Sequence, residues 1–533
     1  MTNITRRSIM GGGLSLGLAL GLPGTASLAA TPTILNIGLG PDIDTADPHR
    51  STTIVAGGLF VELWEGLTSF DAAGTVVPGV ATSWETSADG LRWNFTLRQD
   101  AKWSDGSPVT ADDFVFAWRR AVTPATRLGL PEWIAPIRNA MPIMRGEKPP
   151  AELGVRAIGP YQLEVLLEHP KPDLTVYTAY WVLSPLHRAS VEKHGDSFPQ
   201  PGKLVGNGPF ILDAAIPQSH YALKRNPHYH GAASIAASAV NYHVTEDLQT
   251  EMKRFRSGEL VATKEVPPTQ LDWARSNLAD SLRLAPRAST FFLVPNLTRA
   301  PWKENAKLRQ ALAIAIDRKT IVEKIARGNE PPAYSMTPPG LVGYQPPEPD
   351  WAKLGDADRV ALARRLFAEA GYGPGSQTLP PIELLYNTNE LNRQVAVAVA
   401  AMWQQVLGVK TTLSNQEFKV VVSRMKEHSY PDFARISWAV GLVTEYLNLL
   451  RSRAEALGPG YRNPVFDQAM EAVDASLSLE GFRAALAAAE NIAMADMPMI
   501  PIMRQSSRRL VNPALKGWVD NPLDLHPAKF LSV

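Results

Sequence analysis

The 533-residue chain has no cysteine. That excludes disulfide staples, thiolate metal sites, a thiol nucleophile and a lipid anchor on an N-terminal cysteine. Nor does it have an excess of one charge. Its 53 Lys+Arg against 52 Asp+Glu leave a net charge of +1, so the basic footprint of a nucleic-acid binder is missing. No H-E-x-x-H, Walker loop or G-x-G-x-x-G occurs. There is no internal repeat and no low-complexity tract. What remains is globular composition, with 45% apolar and 20% charged residues. The 44 prolines favour long ordered connections over a simple helix bundle. The length asks for two or three packed units.

The first residues read as a targeting segment. Thr5-Arg6-Arg7-Ser8-Ile9-Met10 precedes a mild apolar stretch, Gly11 to Leu22, and then the small residues Thr25 to Ala30. This is the order n-region, h-region, cleavage site. The paired arginines and the glycine-diluted apolar stretch predict a twin-arginine export signal over residues 1–29. The apolar stretch is too short to span a bilayer, so the mature protein is expected in the periplasm.

Periodicity gives a coarse map. Thr33 to Leu39, Leu91 to Arg98, Leu163 to Leu167, Val409 to Leu413 and Met499 to Met503 read as strands. Thr110 is a good N-cap for a helix through Arg120. Asn305 to Arg327, Asp356 to Ala370, Glu390 to Leu407, Pro464 to Leu477 and Leu479 to Ala495 read as helices, the first three ended by Gly328, Gly371 and Gly408. The strand-rich first half and the alternating second half predict an α/β protein whose lobes differ in character.

Little asks for catalysis. Gly13-Leu14-Ser15-Leu16-Gly17 matches a nucleophile-elbow pattern but falls in the targeting segment. His220, His228, His230 and His243 lie close in sequence, with His228 and His230 on one face if that segment is a strand. No third ligand is poised beside them, and surface histidines explain the same spacing. No metal or cofactor is expected, and no pair of acids stands out as general acid and base.

From Leu63 onward the chain resembles a known family. Leu63-Trp64-Glu65-Gly66-Leu67-Thr68, Val77-Pro78-Gly79-Val80-Ala81, Ser83-Trp84-Glu85 and the run Leu97 to Phe114, with Trp103-Ser104-Asp105-Gly106, follow one another. Gly206-Asn207-Gly208-Pro209-Phe210, Arg225-Asn226-Pro227-His228-Tyr229, Arg256-Ser257-Gly258-Glu259, Ala333 to Pro339, Leu385-Tyr386-Asn387-Thr388 and Asn415-Gln416-Glu417 continue the series. These blocks are similar to the family-5 extracellular solute-binding proteins of ABC importers, most of all the oligopeptide-binding branch.

The resemblance implies an α/β periplasmic binding protein fold of the large three-lobed type, with two main lobes joined by a hinge and a third inserted. The implied boundaries are lobe I at 30–64, 189–290 and 508–533, lobe II at 65–188 and lobe III at 291–507. It implies a monomer that is not an enzyme, with a peptide or peptide-like ligand and ABC permease and ATPase subunits as partners. An extended ligand would be held by β-augmentation, between Thr52-Thr53-Ile54 in lobe I and Ser437-Trp438-Ala439 in lobe III. Asn387, Asn392, Phe418 and Arg435 are the implied pocket residues. Two positions depart from the branch. Gly441 aligns with the aspartate that meets a peptide's α-ammonium, and Leu130 lies near an aromatic of the lobe II wall. Either Glu445 supplies the missing acid or the ligand lacks a free ammonium there, and Gly441→Asp would then shift preference toward free-amine peptides. A receptor for a non-peptide or N-blocked solute, or a secreted enzyme on a similar scaffold, stays open beside the peptide reading.

Overall fold

The computed structural model describes residues 33–439, 441–454 and 457–533, so the targeting segment lies outside the described residues. Three larger sheets organise the chain. In the first, Ile34–Gly40 pairs in parallel with Ala239–Val244, which continues antiparallel through His220–Arg225 to Phe210–Ile216. The second is a four-stranded antiparallel sheet in the order Ala81–Thr86, Arg92–Leu97, Gln162–Leu166 and Val155–Gly159. Helix Ala111–Val122 follows a capping box, in which the Asp113 carboxylate accepts from the Thr110 amide at 2.8 Å. Its apolar face buries Phe114 and Trp118, and the Trp118 indole donates to the Leu183 carbonyl at 2.8 Å. These two sheets share one hydrophobic core.

A second core lies around the third sheet, which has five strands in the order Thr411–Gln416, Ile382–Asn387, Phe433–Ala439, Leu282–Pro295 and Ile500–Leu510. Helix Glu390–Leu407 closes with Gly408 at φ 73°, as its sequence demands, and buries Trp403, whose indole donates to the Leu312 carbonyl. Leu282–Pro295, the long strand, and Ile500–Leu510, the return strand, are paired at both ends. Their register shifts between Pro286 and Thr290. On one side of that break Leu282, Leu284 and Leu510 pack in a small cluster beside the first sheet. On the other side Phe291 to Val294 and Ile500 to Met503 fill the second core.

Several sequence expectations need correction. The helix expected over 305–327 breaks: Ala306–Ala315 ends, Asp317 caps a new turn by accepting from the Thr320 amide at 3.1 Å, and Ile321–Ala326 winds as a π-helix. Arg327, at φ 57°, ends it one residue before Gly328. The strand expected at Val409 begins at Thr411. His228 and His230 sit in a turn, not a strand.

Candidate functional site

Phe433–Ala439, the site strand, has two unlike edges. One pairs with the long strand along its whole length, from Pro295 opposite Phe433 to Ser289 opposite Ala439. The other meets Ile382–Asn387 only at Leu384 opposite Phe433 and Leu385 opposite Ala434. From Arg435 to Ala439 no strand covers that second edge among the described residues. This uncovered edge lies at the carboxyl ends of the parallel strands, where open α/β sheets bind ligands.

Side chains fill the opening of this wedge. The Arg435 guanidinium donates to Asn387 Oδ1 at 3.0 Å and to the Ser437 hydroxyl. Asn392 Nδ2 donates to the same Asn387 oxygen at 3.0 Å and to the Asn387 carbonyl at 3.2 Å. Asn392 is placed by the first turn of helix Glu390–Leu407, whose Asn389 cap accepts from the Asn392 amide. Four of the expected residues, Asn387, Asn392, Arg435 and Ser437, therefore form one network.

Arg435 is the unusual member. It is 8% exposed, lies 4.1 Å from the centroid of the Phe291 ring, and has no carboxylate within ion-pair distance among the described residues. Its Nε has no hydrogen-bond partner. Burial alone pulls its pKa down to about 9. A buried guanidinium without a counter-charge is costly, and an anionic ligand group would relieve that cost.

The other expected residues stand apart from this network. Trp438 packs on the second core, and its carbonyl lies 3.5 Å from the Tyr446 hydroxyl. Ala439 ends the strand. Phe418 opens helix Phe418–Lys426 and is 53% exposed. Thr52-Thr53-Ile54 is not a strand, because Ile54 begins helix Ile54–Leu63. The reason is local. The Asp44 carboxylate accepts from the Thr52 amide at 2.7 Å and from the Ser51, Thr52 and Thr53 hydroxyls, which folds this segment into a loop. Although burial opposes it, these bonds hold Asp44 below the usual carboxylate range.

A wall missed by sequence reasoning meets the end of the site strand. Tyr180 stacks on Trp133 with centroids 3.6 Å apart, and Phe70 meets it edge-on at 5.5 Å. These rings, not the half-buried Leu130, supply the aromatic surface. A Cβ built on Gly441 would lie 1.8 Å from the Tyr180 hydroxyl oxygen. The alignment position of the lost aspartate is therefore already filled from the opposite side. Beside the wall, Glu445 accepts from Asn448 at 2.8 Å. Burial raises its pKa against the pull of Asn448, Lys171 and Arg451. Burial also raises Glu132, and the Glu445 charge adds to that rise. Among the described residues neither acid has a cation within ion-pair distance. The signal for the wall was the aromatic density of Trp133, Tyr177, Tyr180 and Trp181, which reads equally well as core.

The chain matches known proteins along its length. Residues 75–451 fit the model for the middle region of bacterial extracellular solute-binding proteins, family 5. The chain belongs to that family. It is 33% identical to the periplasmic oligopeptide-binding protein OppA of Escherichia coli, over 98% of each chain. It is 32% identical to the probable deoxycholate-binding periplasmic protein YgiS of Escherichia coli, over 92% of each. The fold superposes on the unliganded open form of the murein tripeptide binding protein MppA with a TM-score of 0.85 and 31% identity, covering 95% of this chain and 98% of the other. The architecture is thus the large three-lobed α/β fold of periplasmic binding proteins.

Proposed function

We propose that this protein is the periplasmic binding component of an ABC importer, a monomer that captures a peptide or peptide-like solute and hands it to a membrane permease with its ATPase. The observation that carries the reading is the uncovered strand edge from Arg435 to Ala439 in a member of this family. An extended ligand can add to that edge through main-chain bonds, which are indifferent to side-chain identity. The Arg435 guanidinium would receive an anionic group of the ligand, and Glu445 with Glu132 a cationic one. The oligopeptide-binding relative supports a peptide. The family, whose model describes solute-binding proteins, supports a binding role.

The arginine pair at residues 6 and 7 supports twin-arginine export with removal of residues 1–29. The lobes are assigned as lobe I at 30–64, 189–290 and 508–533, lobe II at 65–188 and lobe III at 291–507. The first sheet falls in the first, the four-stranded antiparallel sheet of Ala81 to Leu166 in the second and most of the five-stranded sheet in the third.

A second reading has its own support. The aspartate position is Gly441 under Tyr180, and one relative is named for deoxycholate. A carboxylate-bearing solute without an amine would also satisfy Arg435. Native mass spectrometry of the protein purified from its own periplasm identifies what it carries. Calorimetry with matched free and N-acetylated peptides then separates the readings. Preference for the free amine that Glu445→Gln abolishes supports the peptide receptor, and turnover of the bound solute refutes both readings.

A further inference from the structure

Two consecutive residues just beyond the site strand belong to different cores. Leu442, 1% exposed, packs in the first core, whereas Val443, 0% exposed, packs in the second. Their neighbours repeat the pattern. Gly441 lies under the hydroxyl of Tyr180, a first-core residue. Tyr446, buried in the second core, donates to the Ala288 carbonyl at 2.8 Å. Ala288 lies in the stretch of the long strand where the register with the return strand shifts, and its amide donates to the Pro522 carbonyl at 2.7 Å. The chain itself passes between the cores along the long and return strands. Leu442 adds a non-covalent tie that is fully buried, whereas Val342 and Leu523, which also pack against both cores, are only half-buried.

We propose that residues 441–446 are a strap that joins the site strand to the crossing strands, with Leu442 as the pin about which the two cores open and close. Pulling a buried leucine into water costs on the order of ten- to a hundredfold in an equilibrium. Opening that keeps Leu442 seated avoids this cost, so the pin fixes the axis and limits the amplitude. The strap begins two residues after Ala439, so a ligand pairing with the site strand bears directly on the pivot. This goes beyond the proposed function, because it holds for any solute and can be read with none bound.

The absence of cysteine makes the test direct. Cysteines replacing the exposed Lys102, between Ala101 and Trp103 of the first core, and the exposed Lys426, next to Met425 of the second, would carry one spin label on each core. Double electron–electron resonance on the unliganded full chain then reads the distribution of distances between the cores. Leu442→Ala should widen it and move it to longer distance, and Leu442→Val should do so less. Val80→Ala, at a 1% exposed first-core site outside the strap's own segment, should lower the melting temperature without widening the distribution. If every Leu442 variant that folds superimposes on the parent, the strap does not limit opening. Equal widening in Val80→Ala would mean general loosening of the core, and the proposal falls in that case too.

Discussion

Gly441 offers a sharp test of the site geometry. Adding a methyl group places a carbon 1.8 Å from the Tyr180 hydroxyl oxygen, 2.8 Å from Cζ and 3.3 Å from Cε2. The ring has little freedom to retreat. It is 8% exposed, stacked on Trp133 and flanked by Phe70 and Trp181. Overpacking of this kind costs about 1–3 kcal/mol. Gly441→Ala should therefore destabilise the protein by that amount, and Gly441→Asp by at least as much. Tyr180→Phe removes the nearest atom but leaves Cζ, so it should recover part of the loss and not all of it. A double-mutant cycle by urea denaturation should give a coupling of roughly 1 kcal/mol in the relieving direction. This also bears on recognition: an aspartate at 441 has no room here and would not gain free-amine peptides without a change at Tyr180. If Gly441→Ala is as stable as the parent and shows no coupling to Tyr180→Phe, the wall does not stand where we place it.

Three further outcomes are expected. Burial pushes Glu62 up from 4.5 to about 7, although the Ala528 amide, Tyr242 hydroxyl and Lys529 pull it down. Because the folded value lies above the unfolded one, its stabilisation is full below pH 4.5 and lost as pH rises through 7. Glu62→Gln should therefore gain on the parent by roughly 3 kcal/mol between pH 4 and pH 8 in urea titrations, and parallel pH profiles would contradict this. Arg120 holds the buried Asp47 with two bonds, at 2.6 and 3.1 Å, and donates to His49 at 2.8 Å. Arg120→Ala should cost about 3–5 kcal/mol in denaturant unfolding, and a loss below about 1 kcal/mol would show that the pair is not buried as described. Arg435→Met should leave the melting temperature equal or higher while weakening the co-purified solute at least about tenfold by calorimetry. Unchanged affinity would remove Arg435 from the site.

Helix ends were legible where side chains punctuate them. Thr110 and Gly408 mark boundaries that the structure keeps. The break at Asp317 was hidden because apolar spacing continues through it, although an aspartate three residues before Thr320 is itself a cap signal. The long strand Leu282–Pro295 escaped notice because its second half is buried throughout and does not alternate. In the site, family resemblance pointed to Asn387, Asn392, Arg435 and Ser437, which do meet. At Thr52 to Ile54 the β-branched residues suggest a strand, but Asp44 decides the local backbone and Ile54 begins a helix. The partnership of Trp133, Tyr180 and Gly441 spans more than 300 residues, and no local pattern carries it.

The Ala528 amide donates to Glu62 across a separation of 466 residues, and Asn521 donates to the Ala72 carbonyl across 449. The first core also takes in Leu515, Ala528 and Leu531. A ribosome thus emits most of this core long before its last pieces, while nearly all of the second core lies between residues 288 and 503. Contacts of such long range close slowly, because the entropy of the intervening loop is lost first. Protection from proteases during synthesis should therefore come to the later-made core first, and to the earlier-made one only after residues 515–531 have left the exit tunnel.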